Sequence, residues 1–520
     1  MITLKQVLSK HRGSGQGRLW REAPVRPGAQ RDHAGGRNPA QFLDVVCVCG
    51  LVLAAMCSCS REPARGSMVL SQTPATSVQP HAPADILDLR YPAGSRVVLA
   101  DVGLKHFEVL SKGFFAAGDP QVSCDGKCVV FSGKLRASDE WQIYQKGPGT
   151  SHWRALTSIR GGAMSPALLP EDRVVFVSPV TRLPASASNT SRALYVTRAG
   201  GAPRQLTFTP SDLSDPAVLA DGRILFVENR RSAGITAEDK YALLTINNDG
   251  TEVTQFSALP DRTQCLHQPR ELADGRIAFL VRGPGPSAKD AIHLISAARP
   301  FAAPEVPPLS FETVFSFAGS PEGGLLICAE AGFELGGRKH APVLYATSGP
   351  GFQLGPPLRL DSDWKTIEAV DRSARVRPMG RLSNVDLSEK TGLILCLNAN
   401  FTRGKLAPGT CVRVLAQTHN GQVQSIGDVP LQPDGSFMAE VPADVPLGFE
   451  LLDEHATAVL RLPPSIWVRP GENRACIGCH EPANHAPRNV RPMAVRVPVP
   501  NLPLADRSLA QAVKPARNQR

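Results

Sequence analysis

Asp215-Pro216-Ala217-Val218-Leu219-Ala220-Asp221-Gly222-Arg223-Ile224-Leu225-Phe226 decides the fold. An apolar stretch, a tight Asp-Gly pair and a second apolar stretch make a hairpin, because a short turn needs positive φ and Gly adopts it without strain. The pattern recurs along the chain. Residues 119–131 carry Asp-Pro, then Asp125-Gly126, then Val-Val-Phe; residues 165–176 carry Ser-Pro, Glu171-Asp172 and Val-Val-Phe. Residues 268–279 carry Gln-Pro, Asp274-Gly275 and Ile-Ala-Phe, and residues 319–327 carry Ser-Pro-Glu322-Gly323-Gly-Leu-Leu-Ile. The turn acids Asp125, Glu171, Asp221, Asp274 and Glu322 are 46, 50, 53 and 48 residues apart. A second apolar element keeps phase at Ile143-Tyr144, Leu194-Tyr195, Leu243-Leu244, Ile292-His293 and Leu344-Tyr345.

Strand, turn, strand and a further strand pair in each unit describe a propeller blade. Five blades are legible. Residues 382–397 offer the start of a sixth, and a strand around 96–102 offers to close the ring. No amphipathic helix stands out in the body of the chain. The blades resemble TolB-type propeller repeats. By their repeat position Asp215 and Asp221 read as turn residues, and His267 reads as a loop residue able to line the central channel.

Composition shifts near Asn398. Short β-prone runs at 411–415, 435–441 and 449–452 read as a small antiparallel β-sandwich, and Trp467 reads mainly as one of its core residues. The chain therefore divides into a leader over 1–60, a Ser/Thr/Pro/Ala-rich flexible linker over 61–86, a propeller of about six blades over 87–398, a small sandwich over 399–470, a loop-rich segment over 471–495 and a disordered basic tail over 496–520. The fold class is all-β.

The chemistry-bearing motif is Cys476-Ile477-Gly478-Cys479-His480. C-x-x-C-H is the spacing of c-type haem attachment: two thiols form thioethers to the vinyl groups, and the adjacent His ligates the iron. One covalent haem c is the expectation, with His480 proximal. Two rival uses stay open. A zinc site would draw on Cys476, Cys479, His480 and His485, although zinc would have to accept adjacent Cys and His in one tetrahedron. A thiol pair of thioredoxin type would need a βαβ setting that the surroundings lack. For the distal position Met493 and His485 are the near candidates, His267 and His340 the distant ones, and an open site the remaining option. Arg469 and Arg474 are candidates to pair with the haem propionates, since a guanidinium suits carboxylates. Arg488 and Arg491 lie in the same stretch.

Haem c implies export. The apolar run 42–56 has the length of a signal-peptide core and is too short to span a bilayer comfortably. It ends in Ala54-Ala55-Met56-Cys57-Ser58-Cys59, so Cys57 or Cys59 is a candidate for lipidation; a plain signal peptide is the alternative. The expected location is the periplasm or cell envelope, with membrane attachment, to the outer membrane, through an N-terminal lipid. The net charge of +10 resides at the two ends. Residues 1–40 hold eight Lys/Arg against two acids and residues 488–520 seven against one, so the body between carries about −2. A nucleic-acid site needs a basic folded surface, and none is expected. Oxidising conditions also permit disulfides, with Cys124–Cys128 and Cys396–Cys411 as conceivable pairs and Cys265 and Cys328 as core thiols.

The stretches Val429-Pro-Leu-Gln-Pro-Asp-Gly-Ser-Phe437, Val441-Pro-Ala-Asp-Val-Pro-Leu447, Leu451-Leu-Asp453 and Ser465-Ile-Trp-Val-Arg-Pro-Gly-Glu472, leading into Cys476-Ile-Gly-Cys-His-Glu-Pro482, resemble a family of bacterial exported proteins related to the hydrazine synthase alpha subunit, in particular its middle domain. The resemblance runs over roughly 90–495 and is firmest over 409–495. It implies a propeller joined to a small β domain and a haem-binding segment. With one C-x-x-C-H here, it does not bring hydrazine chemistry with it. The expected function is that of an exported mono-haem cytochrome-like protein passing electrons to a redox partner in the cell envelope, with the propeller as scaffold and docking surface. The alternatives are a protein- or glycan-binding propeller with an accessory haem, and a haem enzyme with an open iron acting on a small nitrogen or oxygen compound.

Overall fold

The computed structural model describes residues 66–504, apart from 77–86, 102, 151, 181–190, 231–239, 259–263, 284–288, 321, 331–341, 350, 359–362, 403–405, 419 and 480–489. Six antiparallel sheets form the blades of a propeller. Their innermost strands are Ala116–Val122, Met164–Leu169, Asp212–Val218, Cys265–Glu271, Val314–Gly319 and Trp364–Asp371. Each neighbours the next, and the last returns to the first.

Blades stack face to face, so a middle strand is buried on both sides and reads as a continuous apolar run rather than an alternating one. In blade 3, Ile224 and Phe226 pack towards blade 2 while Leu225 and Val227 pack towards blade 4. Analogous cores lie between every consecutive pair of blades.

The ring closes with residues from both ends of the domain. The last blade takes its innermost strand from Trp364–Asp371 and its outer three from Met68–Pro74, Arg96–Ala100 and Phe107–Val109. The linker expected over 61–86 thus contributes a paired and almost wholly buried strand at Met68–Pro74. Its Val-Leu-Ser core is short and runs into a Ser/Thr/Pro-rich stretch, which masks it in the sequence. The sixth blade is not begun by 382–397. The strand found there, Thr391–Cys396, belongs to the sandwich.

The repeated Pro has a structural reason. Asp119, Ser165, Asp215 and Gln268, each just before a Pro in the innermost strand, sit at φ of 58°, 51°, 51° and 50°. Strand register slips at each of them. Pro has no N–H for the ladder, and a bulge is where a strand interior tolerates it. Asp215 is therefore a bulge residue and His267 a strand residue, not turn and loop residues as the repeat suggested.

After Asp371 the chain runs as a strap across the turns of the propeller. Arg375 N–H donates to Cys124 O (2.8 Å) and Met379 N–H to Ala220 O (2.9 Å). The sandwich follows. One of its sheets places Thr391–Cys396 between antiparallel Phe437–Pro442 and parallel Asn473–Cys476. The other orders Val423–Pro430, Cys411–Gln417, Leu447–Leu452 and Ala458–Ile466. The start of the expected tail packs here too: Leu502 is buried and Asn501 bridges to Glu440.

The equivalent turn glycines Gly222 and Gly275 make a paired test. Both have positive φ, +82° and +81°. A Cβ on Gly222 would lie 2.2 Å from Met379 O in the strap, whereas a Cβ on Gly275 meets nothing within 4 Å. Gly275→Ala should cost about 1 kcal/mol from left-handed backbone alone. Gly222→Ala should cost that and about 1–3 kcal/mol more from the overlap. Urea denaturation of the two variants reads the difference, and equal losses would remove the strap from that turn.

Candidate functional site

The sandwich fixes the C-x-x-C turn from three sides. Cys476 ends its strand in register with Cys396 on the parallel neighbour. Leu397 N–H donates to Cys476 O (2.9 Å) and Asn398 N–H to Ile477 O (3.2 Å). Gly478 has no room for a side chain, since a Cβ would lie 2.3 Å from Phe401 O. Cys476 is half-buried, whereas Cys479 is buried in the sandwich core beside Cys396. The neighbouring Cys479 side chain, followed by burial, raises the Cys396 thiol well above its ordinary value. Cys396 is a member of this cluster that spacing gave no reason to include.

His480 and His485 lie outside the described residues, as do His340, Arg488, Cys57 and Cys59. Met493 is placed. It opens a short 3-10 helix, Met493–Arg496, and its N–H donates to Asp434 Oδ2 (2.7 Å). Ala494 N–H donates to Ser436 Oγ (2.9 Å). Because Phe437, Cys396 and Cys476 are in register on three adjacent strands, Met493 is anchored at the end of the sandwich where the C-x-x-C turn emerges, across roughly 10 Å of sheet. Its side chain is partly exposed.

Arg469 and Arg474 are spent elsewhere. Arg469 is buried, with Nη1 2.7 Å from Asp444 Oδ1 and its guanidinium over the Phe208 ring. Burial outweighs the ion pair on both partners: Asp444 is pushed up to about 6 and Arg469 is lowered. Arg474 donates to Val253 O (2.6 Å). Both guanidinium groups thus engage the seam between sandwich and propeller. Trp467 joins them, packing among residues of blades 2 and 3 with Nε1 donating to Gly250 O (3.1 Å). Glu472 accepts Glu252 N–H (2.9 Å). The socket is the blade 3 turn Asn247-Asn248-Asp249-Gly250, wholly buried although its composition reads as a solvent turn. Asp249 Oδ2 also accepts Asn384 N–H from the strap (3.0 Å).

A second cluster lies on the propeller axis. A single helical turn, Leu87–Arg90, brings Arg90 within 2.7 Å of Glu368 Oε1. Glu368 Oε2 accepts Ser71 Oγ–H (2.8 Å) and Asp119 N–H (3.0 Å), and Asp119 Oδ2 accepts Ser165 N–H (2.7 Å). Asp215 lies 3.8 Å from His267 Nδ1, an ion-pair distance rather than a hydrogen bond. Burial would raise the Asp215 carboxyl, yet His267, Arg270 and Ser214 outweigh it and hold it at about 2. Burial and then the Glu368 carboxylate raise Asp119 to about 7. His267 is therefore engaged on the axis.

Among the described residues, no group of three or more His, Cys, Asp or Glu could hold a metal ion. Two of the four residues weighed for zinc, His480 and His485, lie outside them. Cys124, Cys128, Cys265, Cys328, Cys396 and Cys411 are thiols, so neither conceivable disulfide is formed. No helix among the described residues is long and apolar enough to cross a membrane.

Trp467→Ala should cost about 3–5 kcal/mol and loosen the sandwich from its socket. Limited proteolysis of the strap is the readout, and an unchanged cleavage rate would count against the anchor. A folded-state value of about 7 for Asp119 means the folded chain holds that proton more tightly than the unfolded one. Its stabilising contribution is present below pH about 4 and is lost as pH rises towards 7. Asp119→Asn should flatten this loss by about 1–3 kcal/mol, and melts at pH 4, 5.5 and 7 would show it; a slope unaltered by the substitution refutes it.

Residues 393–481 match the family model of the hydrazine synthase alpha subunit middle domain. Over 75 residues, 14% of this chain, the sequence is 36% identical to hydrazine synthase subunit alpha of Kuenenia stuttgartiensis and spans 9% of that relative. The structure of Kuenenia stuttgartiensis hydrazine synthase superposes with a TM-score of 0.71 at 17% identity, covering 84% of this chain and 72% of that one, a likeness of fold. TolB from Acinetobacter baumannii matches with a TM-score of 0.42 at 16% identity, covering 58% of this chain and 66% of that one. The six-bladed propeller is thus joined to a sandwich that carries Cys476 and Cys479 and that is similar, over residues 393–481, to the middle domain of the hydrazine synthase alpha subunit.

Proposed function

We propose that the chain carries one haem c on Cys476 and Cys479 and transfers electrons in the cell envelope. The observation that carries the reading is the backbone-latched C-x-x-C turn at a strand end, with His480 next in sequence, inside the stretch that matches the family model. The donor chemistry fits. Two thiols at this spacing suit the two vinyl groups, and the adjacent imidazole suits the iron. A haem held there supplies a one-electron iron couple. Cys476 is the accessible thiol, and Cys479 has to turn its sulfur out of the core to take part.

His480 supplies the proximal nitrogen. Met493 is the distal ligand favoured by position, since the Asp434 and Ser436 contacts tether it at the same end of the sandwich. Two strong axial ligands suit electron transfer more than small-molecule chemistry. The propeller provides the rigid mount and a docking face for a redox protein. Export follows from the apolar run 42–56, with lipid attachment at Cys57 or Cys59 placing the chain on the envelope membrane.

A spectrum of the chain produced with haem-attachment machinery tests this. The expected result is a Soret band that survives denaturation, is lost in the Cys476→Ala, Cys479→Ala double variant, and ignores carbon monoxide when reduced. Met493→Ala should then bind carbon monoxide. Absence of a covalent Soret band overturns the haem reading; a wild-type band that shifts with carbon monoxide removes Met493 as ligand and the electron-carrier reading with it.

A further inference from the structure

The motif uses two cysteines, yet the structure gathers three. Cys396 is in register with Cys476 on the adjacent parallel strand, and residues in register on parallel strands project to the same face. Cys396 is 1% exposed and Cys479 7%, both in one apolar core with Val412, Val414, Phe437 and Val468. Cys479 is the largest single influence on the Cys396 thiol, which it pushes up. A side chain on Gly478 is blocked by Phe401 O, and the Cys476 and Ile477 carbonyls are tied to Leu397 and Asn398. The turn is therefore held in the arrangement that aims Cys479 at Cys396.

We propose that in the haem-free chain Cys396 and Cys479 form a disulfide under oxidising conditions, so that Cys396 is a redox gate on Cys479. The two thiols give up two electrons and two protons, one S–S bond forms, and a disulfide oxidant R–S–S–R is cleaved to two R–SH. Three pairings compete. Cys476–Cys479 would have to pull Cys479 out of the core against the latch. Cys396–Cys476 joins in-register neighbours, but Cys476 is half-buried at the end of its strand, whereas Cys396 and Cys479 are both closed in the core. Cys396–Cys479 needs the smallest rearrangement, because both side chains already sit in one core. While that bond stands, one of the two thiols required by the motif is unavailable. This consequence for loading rests on the haem reading above; the disulfide itself does not.

The test uses the full chain made without haem and oxidised with hydroxyethyl disulfide, a reagent small enough to reach a buried pair. Remaining thiols are alkylated in denaturant, and peptides are mapped by mass spectrometry with and without reduction. A 396–479 cross-link is expected in the natural chain and in Cys476→Ser, and none in Cys396→Ser. A 476–479 or 396–476 link as the main product, or no link at all, overturns the proposal. If Cys396→Ser fails to fold, the Cys476→Ser map still decides. Haem loading is measured in parallel: the oxidised chain should take up at least several-fold less than the reduced one, and Cys396→Ser should be insensitive to oxidant. If no form of the chain takes haem, the haem reading fails while the disulfide map stands or falls by itself.

Discussion

Ring closure is the constraint on which the rest depends. A blade is apolar on both faces, so five blades in a row would leave two large apolar faces in water. Pairing Met68–Pro74 with Trp364–Asp371 removes both. The bond from Ser71 Oγ to Glu368 Oε2, across 297 residues of chain, marks how non-local that step is. Polar bonds on the axis reinforce it joint by joint. Glu368 receives Asp119 N–H, Asp119 receives Ser165 N–H, Asp212 receives Arg192, Gln268 donates to Phe315 O, and Ser316 donates to Ile367 O. The bulges let inner-strand side chains such as Asp119 turn from their own ladder to the neighbouring blade. Positive φ at four non-glycine positions costs energy, and it persists only because these contacts over-determine the conformation.

Closure also sets where the sandwich can go. The strap begins at the end of the closing strand and is bonded to the turns of blades 1 and 3 before Asn384 reaches Asp249. A chain so constrained delivers Trp467 to one socket. Within the seam the apolar anchor contributes more than the ions do. Arg469 is buried and Asp444 half-buried, burial moves both groups towards their neutral forms, and Arg469 Nε lacks a partner. Such a pair contributes specificity of placement more than stability. Trp467 fills a core and satisfies its N–H in one step.

The repeat made most of the propeller legible, because each blade reuses one turn chemistry at one spacing. It failed where chemistry and position part company. Met68–Pro74 lacks the turn motif since its partner strand comes from the other end of the domain. The Asp-Pro step looked like a turn because Pro usually breaks strands, and the bulge that accommodates it leaves no local signal. The Cys476–Cys479 motif was plain in the sequence, but its surroundings were not. Arg469 and Arg474 were suggestive by proximity in sequence; Arg469, ahead of the strand, is held by Asp444 over the Phe208 ring, and the strand Asn473–Cys476 carries Arg474 to Val253 O of the propeller. Asp119 was hidden because a repeat position reads as structure; its burial beside Glu368 appears only once blades 6 and 1 are joined.

Its core position closes Cys479 off from solvent. A thiol buried with Val412, Val414 and Phe437 is available for chemistry only while the sandwich is open or the turn is loosened. The turn is held by two backbone hydrogen bonds and a glycine contact, which continue the pairing of strand Thr391–Cys396 with Asn473–Cys476. That parallel pairing joins segments about 80 residues apart in sequence, so it is late among local folding events. Once it forms, Cys479 is enclosed in the core that also holds Cys396. The same strand pairing that completes the sandwich therefore decides which partner the second thiol meets.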